Sequence, residues 1–342
     1  MHVQTLRPTI WSALRDYLLT WTWPESANFK NARRDLFSDA QVKSYKSAKH
    51  IKCSASEMLS ILPVLSFYVC TVLRKIPGIC IAACDALESL ADLVDALLAV
   101  RHSPDRISPE YVRSCVRTML DACLAAGWEA WMTPKFHWCM HFHRHLRNWG
   151  VLPTCWVHER KHKLAKRYGE DIFNTVAYNK SVLSEVLAHQ FYLVKLDGAF
   201  DDTISVLHPG KAKKTIVDIM RSLGVPDTAA ITVSRKARIG TGSLCCKGDA
   251  ALIRSMDGNN FVAGEIEMFI CAQGIDDFAF VNFWGFRSHC VESRSATWNV
   301  GNNMSLCALN EVLTSVMWKE VSADVVRTLI PFEYNGLKAV AA

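Results

Sequence analysis

The stretch Asp249–Phe286 reads DAALIRSMDGNNFVAGEIEMFICAQGIDDFAFVNFWGF. Asp249–Arg254, Phe261–Gln273 and Phe278–Phe286 are strand-like runs rich in β-branched and aromatic residues. Asp257-Gly258-Asn259-Asn260 and Gly274-Ile275-Asp276-Asp277 part them, and both have the chemistry of hairpin turns. Two or three further short strands are expected before Phe332. Residues 236–335 therefore read as a small antiparallel barrel or curled sheet.

Upstream the period changes from two to that of a helix. Leu6, Ile10, Leu14, Leu18 and Trp21 recur at helical spacing and end at Trp23-Pro24. Ser54 with Glu57 three residues on is a capping box opening the apolar helix Met58–Leu73. That run carries Pro63 and falls short of the ~20 residues that span a bilayer, so it reads as a buried core helix. Pro77-Gly78 ends it. The next helix, Ile79–Arg101, bears Asp85, Glu88, Asp92 and Asp95 along one side, with Leu87, Leu90, Val94 and Leu97 opposite. The acidic row reads as a solvated face, with a carboxylate metal row as the alternative. Ser108-Pro109-Glu110 opens a helix to Ala126, and Asn174–Leu196 is helical again.

The fold class is thus α+β, a mainly α-helical N-terminal domain followed by a small C-terminal antiparallel β-barrel or sheet module. The divisions read as 1–196, a linker 197–235 with one short helix, the β module 236–335, and a tail 336–342. Half of the residues are apolar and 21% charged, the balance of a folded chain and not a disordered one. Thirteen cysteines, an odd number without any CxxC pair, argue for reduced thiols in an intracellular compartment. His2, Arg7, Arg15 and Asp16 interrupt the early apolar residues, so no secretory leader and no membrane partner are expected.

Charge is concentrated in one place. Between Pro134 and Tyr168 eight basic residues face the single acid Glu159, an excess larger than the +6 formal net charge of the whole chain. They are Lys135, Arg144, Arg147, Arg160, Lys161, Lys163, Lys166 and Arg167, the candidate phosphate contacts. Trp149 and Trp156 are candidate stacking platforms among them. Six of the twelve histidines fall here too. His137, His141 and His145 stand at intervals of four, which on one helix makes a row able to bind metal or simply to face solvent. His158-Glu159-Arg160-Lys161-His162 matches H-E-x-x-H, in which His158 and His162 would hold Zn²⁺ and Glu159 polarise a water. Cations at 160, 161 and 163 would oppose a metal there, so the zinc hydrolase is the alternative reading and an interaction scaffold the third.

The same stretch resembles the helical transposase-associated domain of En/Spm (CACTA)-type DNA transposons. The matching residues are His141, Gly150, Trp156, Glu159, Arg160 and Lys166, while Val151 and Val157-His158 depart from the family pattern. Ser56-Glu57 before Leu62-Pro63 is similar to an earlier helix of that domain. Gly264-Glu265-Ile266 with Val281-Asn282-Phe283-Trp284 is similar to the β module that follows it. The resemblance implies an RNase-H-like, three-carboxylate lineage that uses two Mg²⁺ ions, with Glu159 as the third carboxylate. The family's two aspartates lie N-terminal to this region, the second in D-x-x-H, and Met1-His2 reads as the tail of that motif. The expectation is a remnant or partial transposase whose partners are DNA and other transposase chains and which does not cleave alone. No cofactor is expected, Zn²⁺ belonging only to the alternative. The compartment would be nuclear if the source is eukaryotic.

Overall fold

The computed structural model describes residues 8–25, 36–48, 51–102, 107–150, 152, 177–195, 204–222, 225–227, 229–240, 243–255, 258, 260–275, 277–331, 334 and 337–340. Helices fill the N-terminal half and strands the C-terminal half, so the chain is α+β. The helices are α1 (Pro8–Leu19), α2 (Asp39–Ala48), α3 (Ala55–Thr71), α4 (Ile81–His102), α5 (Pro109–Ala125), α6 (Pro134–Cys139), α7 (Phe142–Trp149), α8 (Tyr178–Lys195) and α9 (Lys214–Ser222).

The start signals of α3 and α5 act as the sequence suggests. The Glu57 amide donates to Ser54 Oγ at 3.2 Å, and the Ser54 amide donates back to Glu57 Oε2 at 2.6 Å. The Ser54 amide and then the Ser54 hydroxyl, both donating to Glu57 Oε2, hold the Glu57 carboxyl below the usual carboxylate range. Ser108 caps α5 by accepting from the Tyr111 amide, with Pro109 at the first helical position. The segment Ala55–Lys75 is long and apolar enough to cross a membrane by length and composition. In this fold Ile61, Val64, Leu65, Phe67, Tyr68 and Val69 are buried in a core shared with Trp11, Leu14, Leu18 and Trp21.

The strands are β1 (Ser205–Leu207), β2 (Gly210–Lys211), β3 (Ile231–Ser234), β4 (Lys236–Arg238), β5 (Leu244–Cys246), β6 (Ala250–Arg254), β7 (Asn260–Ala272), β8 (Phe278–Cys290), β9 (Ser295–Ala308), β10 (Val312–Val316), β11 (Trp318–Ser322), β12 (Val325–Leu329) and β13 (Lys338–Ala339). The main sheet runs β10-β6-β7-β8-β9-β12-β11, and a small sheet runs β1-β4-β5. Pairing is antiparallel apart from β13 beside β7. One residue, Met317, separates β10 from β11 at opposite ends of the path, so the sheet curls until its ends meet. Among the described residues no ladder joins those two strands into a closed barrel.

Gly258 and Gly274, both at positive φ, make the two turns predicted around β7. Gly264 answers a different need. A Cβ there would lie 2.6 Å from Val281 Cγ1 and 2.7 Å from the Asn282 carbonyl oxygen, so only hydrogen fits between β7 and β8.

Three divisions read from the sequence change. Residues 197–235 are not a plain linker: β1 pairs with β4, and β3 pairs with the far half of β7. Strands of three and four residues leave too little alternation to read. The segment 336–342 is not merely a tail, because Lys338–Ala339 pairs with Asn260 and Phe261. The sheet is also larger than expected. Gly301-Asn302-Asn303 looks like a turn yet lies inside the long strand β9, where the register breaks between the pairs Gly285–Asn299 and Phe283–Asn303.

Helices and sheet share a core. Leu329 of β12 is buried among the side chains of α1 and α3, and Met317 packs against them. Thr22 and Trp318 exchange backbone hydrogen bonds of 2.7 and 3.1 Å, which covers part of the edge strand β11. Lys319 Nζ sits 4.4 Å from the Tyr17 ring centroid and 5.0 Å from that of Trp21. Burial there, and then the Arg327 charge, pushes its ammonium pKa down.

The acidic row on α4 is only in part a solvated face: Asp85 and Asp92 stay about half exposed, but all four acids are paired. Asp85 and Glu88 bind Arg74, and Asp92 and Asp95 bind Arg294 in the turn between β8 and β9. Arg294 takes a left-handed backbone conformation, φ 48°, at this position. The sequence could not pair Arg294 with a helix some 200 residues earlier.

Candidate nucleic-acid interface

The described part of the basic stretch is α6 and α7, held on α5. Val112, Val116, Met119 and Cys123 of α5 form a buried seam with Leu93 and Val100 of α4 and Leu146 of α7. Phe136 and Cys139 of α6 and Phe142 of α7 pack at its margin. Fixing Phe136 and Cys139 inward turns Trp138 outward on a period of 3.6 residues, with Lys135 on the flank. Trp138 is 62% exposed. On α7, burial of Leu146 beside Phe142 leaves Arg144, Arg147 and Asn148 on the outer side. Gly150, at φ 68°, ends α7 by donating its amide to the Leu146 carbonyl oxygen at 2.8 Å.

The histidine row does not survive as a row. The helix breaks at Met140-His141, so His137 belongs to α6 and His145 to α7. The His137 and His141 rings meet edge-on, with centroids 5.2 Å apart. His145 instead lies against Trp149, at 4.7 Å and 32° between planes, and Trp149 stays 59% exposed. Burial also raises the Cys139 thiol pKa. Among the described residues no group of three or more His, Cys, Asp or Glu side chains is placed to hold a metal ion.

Positive charge gathers around His143. Its imidazole is pushed below the ordinary histidine range by burial first, then by the charges of Arg113, Arg147 and Arg144. Arg113 comes from α5 and was missed in the sequence. Its signal was there: Arg113 and Arg117 stand one turn apart, off the Val112–Val116–Met119 seam. Trp138 was the other omission as a platform, because its orientation depends on Phe136 and Cys139 being the buried pair.

The cations differ in their partners. Arg147 donates to Glu110 Oε1 at 2.6 Å, and this bond is the first cause holding the Glu110 carboxyl below the usual carboxylate range. Among the described residues neither Lys135 nor Arg144 has a carboxylate within ion-pair reach. His158, Glu159, Arg160, Lys161, His162, Lys163, Lys166 and Arg167 lie outside the described residues, as does Trp156. The described cysteines are free thiols.

The sequence matches no protein-family model and no curated protein.

Proposed function

We propose that the chain binds nucleic acid through the α5–α7 surface, as a DNA-associated protein of transposon descent with a binding role and not a cutting one. One observation carries the reading: Arg113 of α5, Lys135 of α6 and Arg144 and Arg147 of α7 are all exposed on helices that pack together, alongside the exposed indoles of Trp138 and Trp149. Like charges brought together repel one another, and an anionic partner relieves that repulsion by releasing its own counterions. The resemblance of the central stretch to the transposase-associated domain supports DNA as that partner. The row Asp85, Glu88, Asp92 and Asp95 is committed to two arginines, which supports a structural use of those carboxylates over metal binding.

The test is binding of a labelled duplex followed by fluorescence anisotropy across a salt series. Lys135→Ala with Arg144→Ala should lower the log–log salt slope by about 1.8, two phosphate contacts' worth. Lys213→Ala with Lys214→Ala, on the exposed start of α9, should change it far less. Equal losses from both pairs would reduce the surface to diffuse attraction.

A further inference from the structure

We propose that this surface takes unpaired bases, so that its preferred ligand is a single-stranded nucleic acid stacked on Trp138 and Trp149 with phosphates at Lys135 and Arg144. The inference rests on the nucleic-acid reading above and narrows it.

Two large indoles stand mostly in solvent on adjoining short helices, at 62% and 59% exposure. Each shares its helix with a cation that has no carboxylate partner among the described residues: Lys135 three positions before Trp138, and Arg144 on α7 with Trp149. Positions three apart on a helix are neighbours, so the Lys135 ammonium and the Trp138 ring are offered together. An ammonium next to a flat apolar ring matches a nucleotide, which has a phosphate next to a flat base.

A duplex does not satisfy this pairing. Its bases are stacked on one another and present edges in the grooves, not faces. An indole on the protein surface can therefore stack only on a base that is unpaired or at an end. Trp149 is also prepared for the task. The His145 ring already lies along one of its faces at 4.7 Å, which restrains the indole and leaves the other face to a base. Electrostatics alone would give little discrimination, since Arg147 is tied to Glu110 and two phosphate contacts attract either form. Stacking supplies what charge does not.

The experiment compares a 20-nucleotide oligo(dT), the matching oligo(U) and a blunt duplex by anisotropy at one salt concentration, using the whole chain. The wild type should prefer the single strands. Trp138→Ala with Trp149→Ala should weaken single-strand binding by about tenfold or more, with duplex binding changed less than about twofold. Trp138→Phe, which keeps a π face, should retain most of the affinity. The tighter of oligo(dT) and oligo(U) identifies whether DNA or RNA is the source of the strand. Equal losses on single strand and duplex, or no loss on either, would overturn the proposal. The underlying reading fails separately: Lys135→Ala with Arg144→Ala would then leave every affinity unchanged. If that pair weakens all three ligands while the tryptophan pair weakens none, nucleic-acid binding stands and the single-strand preference falls.

Discussion

The acidic row of α4 and the basic surface of α6 and α7 are both charged sides of short-period helices, and they meet their counter-charges differently. Asp85, Glu88, Asp92 and Asp95 are answered from within the chain, by Arg74 nearby and by Arg294 from the β8–β9 turn. On the basic surface, among the described residues, only Arg147 of the candidate contacts on α6 and α7 finds an internal carboxylate, Glu110. Charge that the fold neutralises itself holds elements together, and charge left without an internal answer is available to a partner. A row of like charges in a sequence does not reveal which of these it is. The answer lies in whether an opposite charge arrives from elsewhere in the chain.

The contrast breaks most readily at Arg294. Its side chain is 20% exposed and Asp95 is 21% exposed, whereas Asp92 is 52% exposed. Removing the guanidinium leaves two neighbouring carboxylates without it, one of them largely out of water. Arg294→Ala should cost about 2 kcal/mol in urea unfolding, less than a fully buried pair because Asp92 remains half in solvent. Binding to nucleic acid should not change. A loss under about 0.5 kcal/mol would mean that the ion pairs are ornamental to the docking of helices on sheet.

Arg74→Ala should be milder, about 1 kcal/mol by the same measurement, since all its partners lie within the helical half and the shared core remains intact. If it matched or exceeded Arg294→Ala, the bridge between the two halves would carry no special weight.

Lys135→Ala with Arg144→Ala should leave the urea midpoint within the equivalent of about 0.5 kcal/mol, because neither cation is answered internally among the described residues. A larger loss would show that the basic surface also serves the fold, and the contrast would blur.

The smallest effect is expected at Glu110. Glu110→Gln releases Arg147 and should steepen the duplex salt slope by about 0.9. The Arg147 bond lowers the Glu110 carboxyl pKa in the folded protein, so the tie is fully present above the ordinary carboxylate value near 4.5 and is lost as pH falls through the lower folded value. The difference between the variant and the wild type should thus persist at about pH 5 and shrink only in stronger acid. A difference that vanished already at about pH 5 would contradict the lowered carboxyl.

Much of the fold could be read because its signals are local. The capping box at Ser54 and Glu57, the Ser108-Pro109 start and the turns at Gly258 and Gly274 each specify a few adjacent residues, and the elements follow. What could not be read depends on distant partners. β3 is four residues long and gains its place from β7 and β2, and Gly301-Asn302-Asn303 lies within strand because β9 pairs with β8 on both sides of the register break. The site divides in the same way. Lys135, Arg144 and Arg147 are visible as composition, but Arg113 joins them only through the packing of α7 on α5. The histidine row failed for a local reason, a helix that stops at Cys139 and restarts at Phe142.

The bond between Arg294 and Asp92 also imposes an order in time. The two residues are 202 positions apart, so the carboxylates leave the ribosome long before their cation exists. At ordinary rates of synthesis the interval is roughly 10–40 s. Throughout it, the helical half has neither Arg294 nor Leu329, and the apolar surface that Leu329 later covers stands open to water. A nascent chain arrested just before Arg294 would therefore still expose that apolar surface, with Asp92 and Asp95 waiting for their cation, and a holding chaperone would find its longest opportunity there.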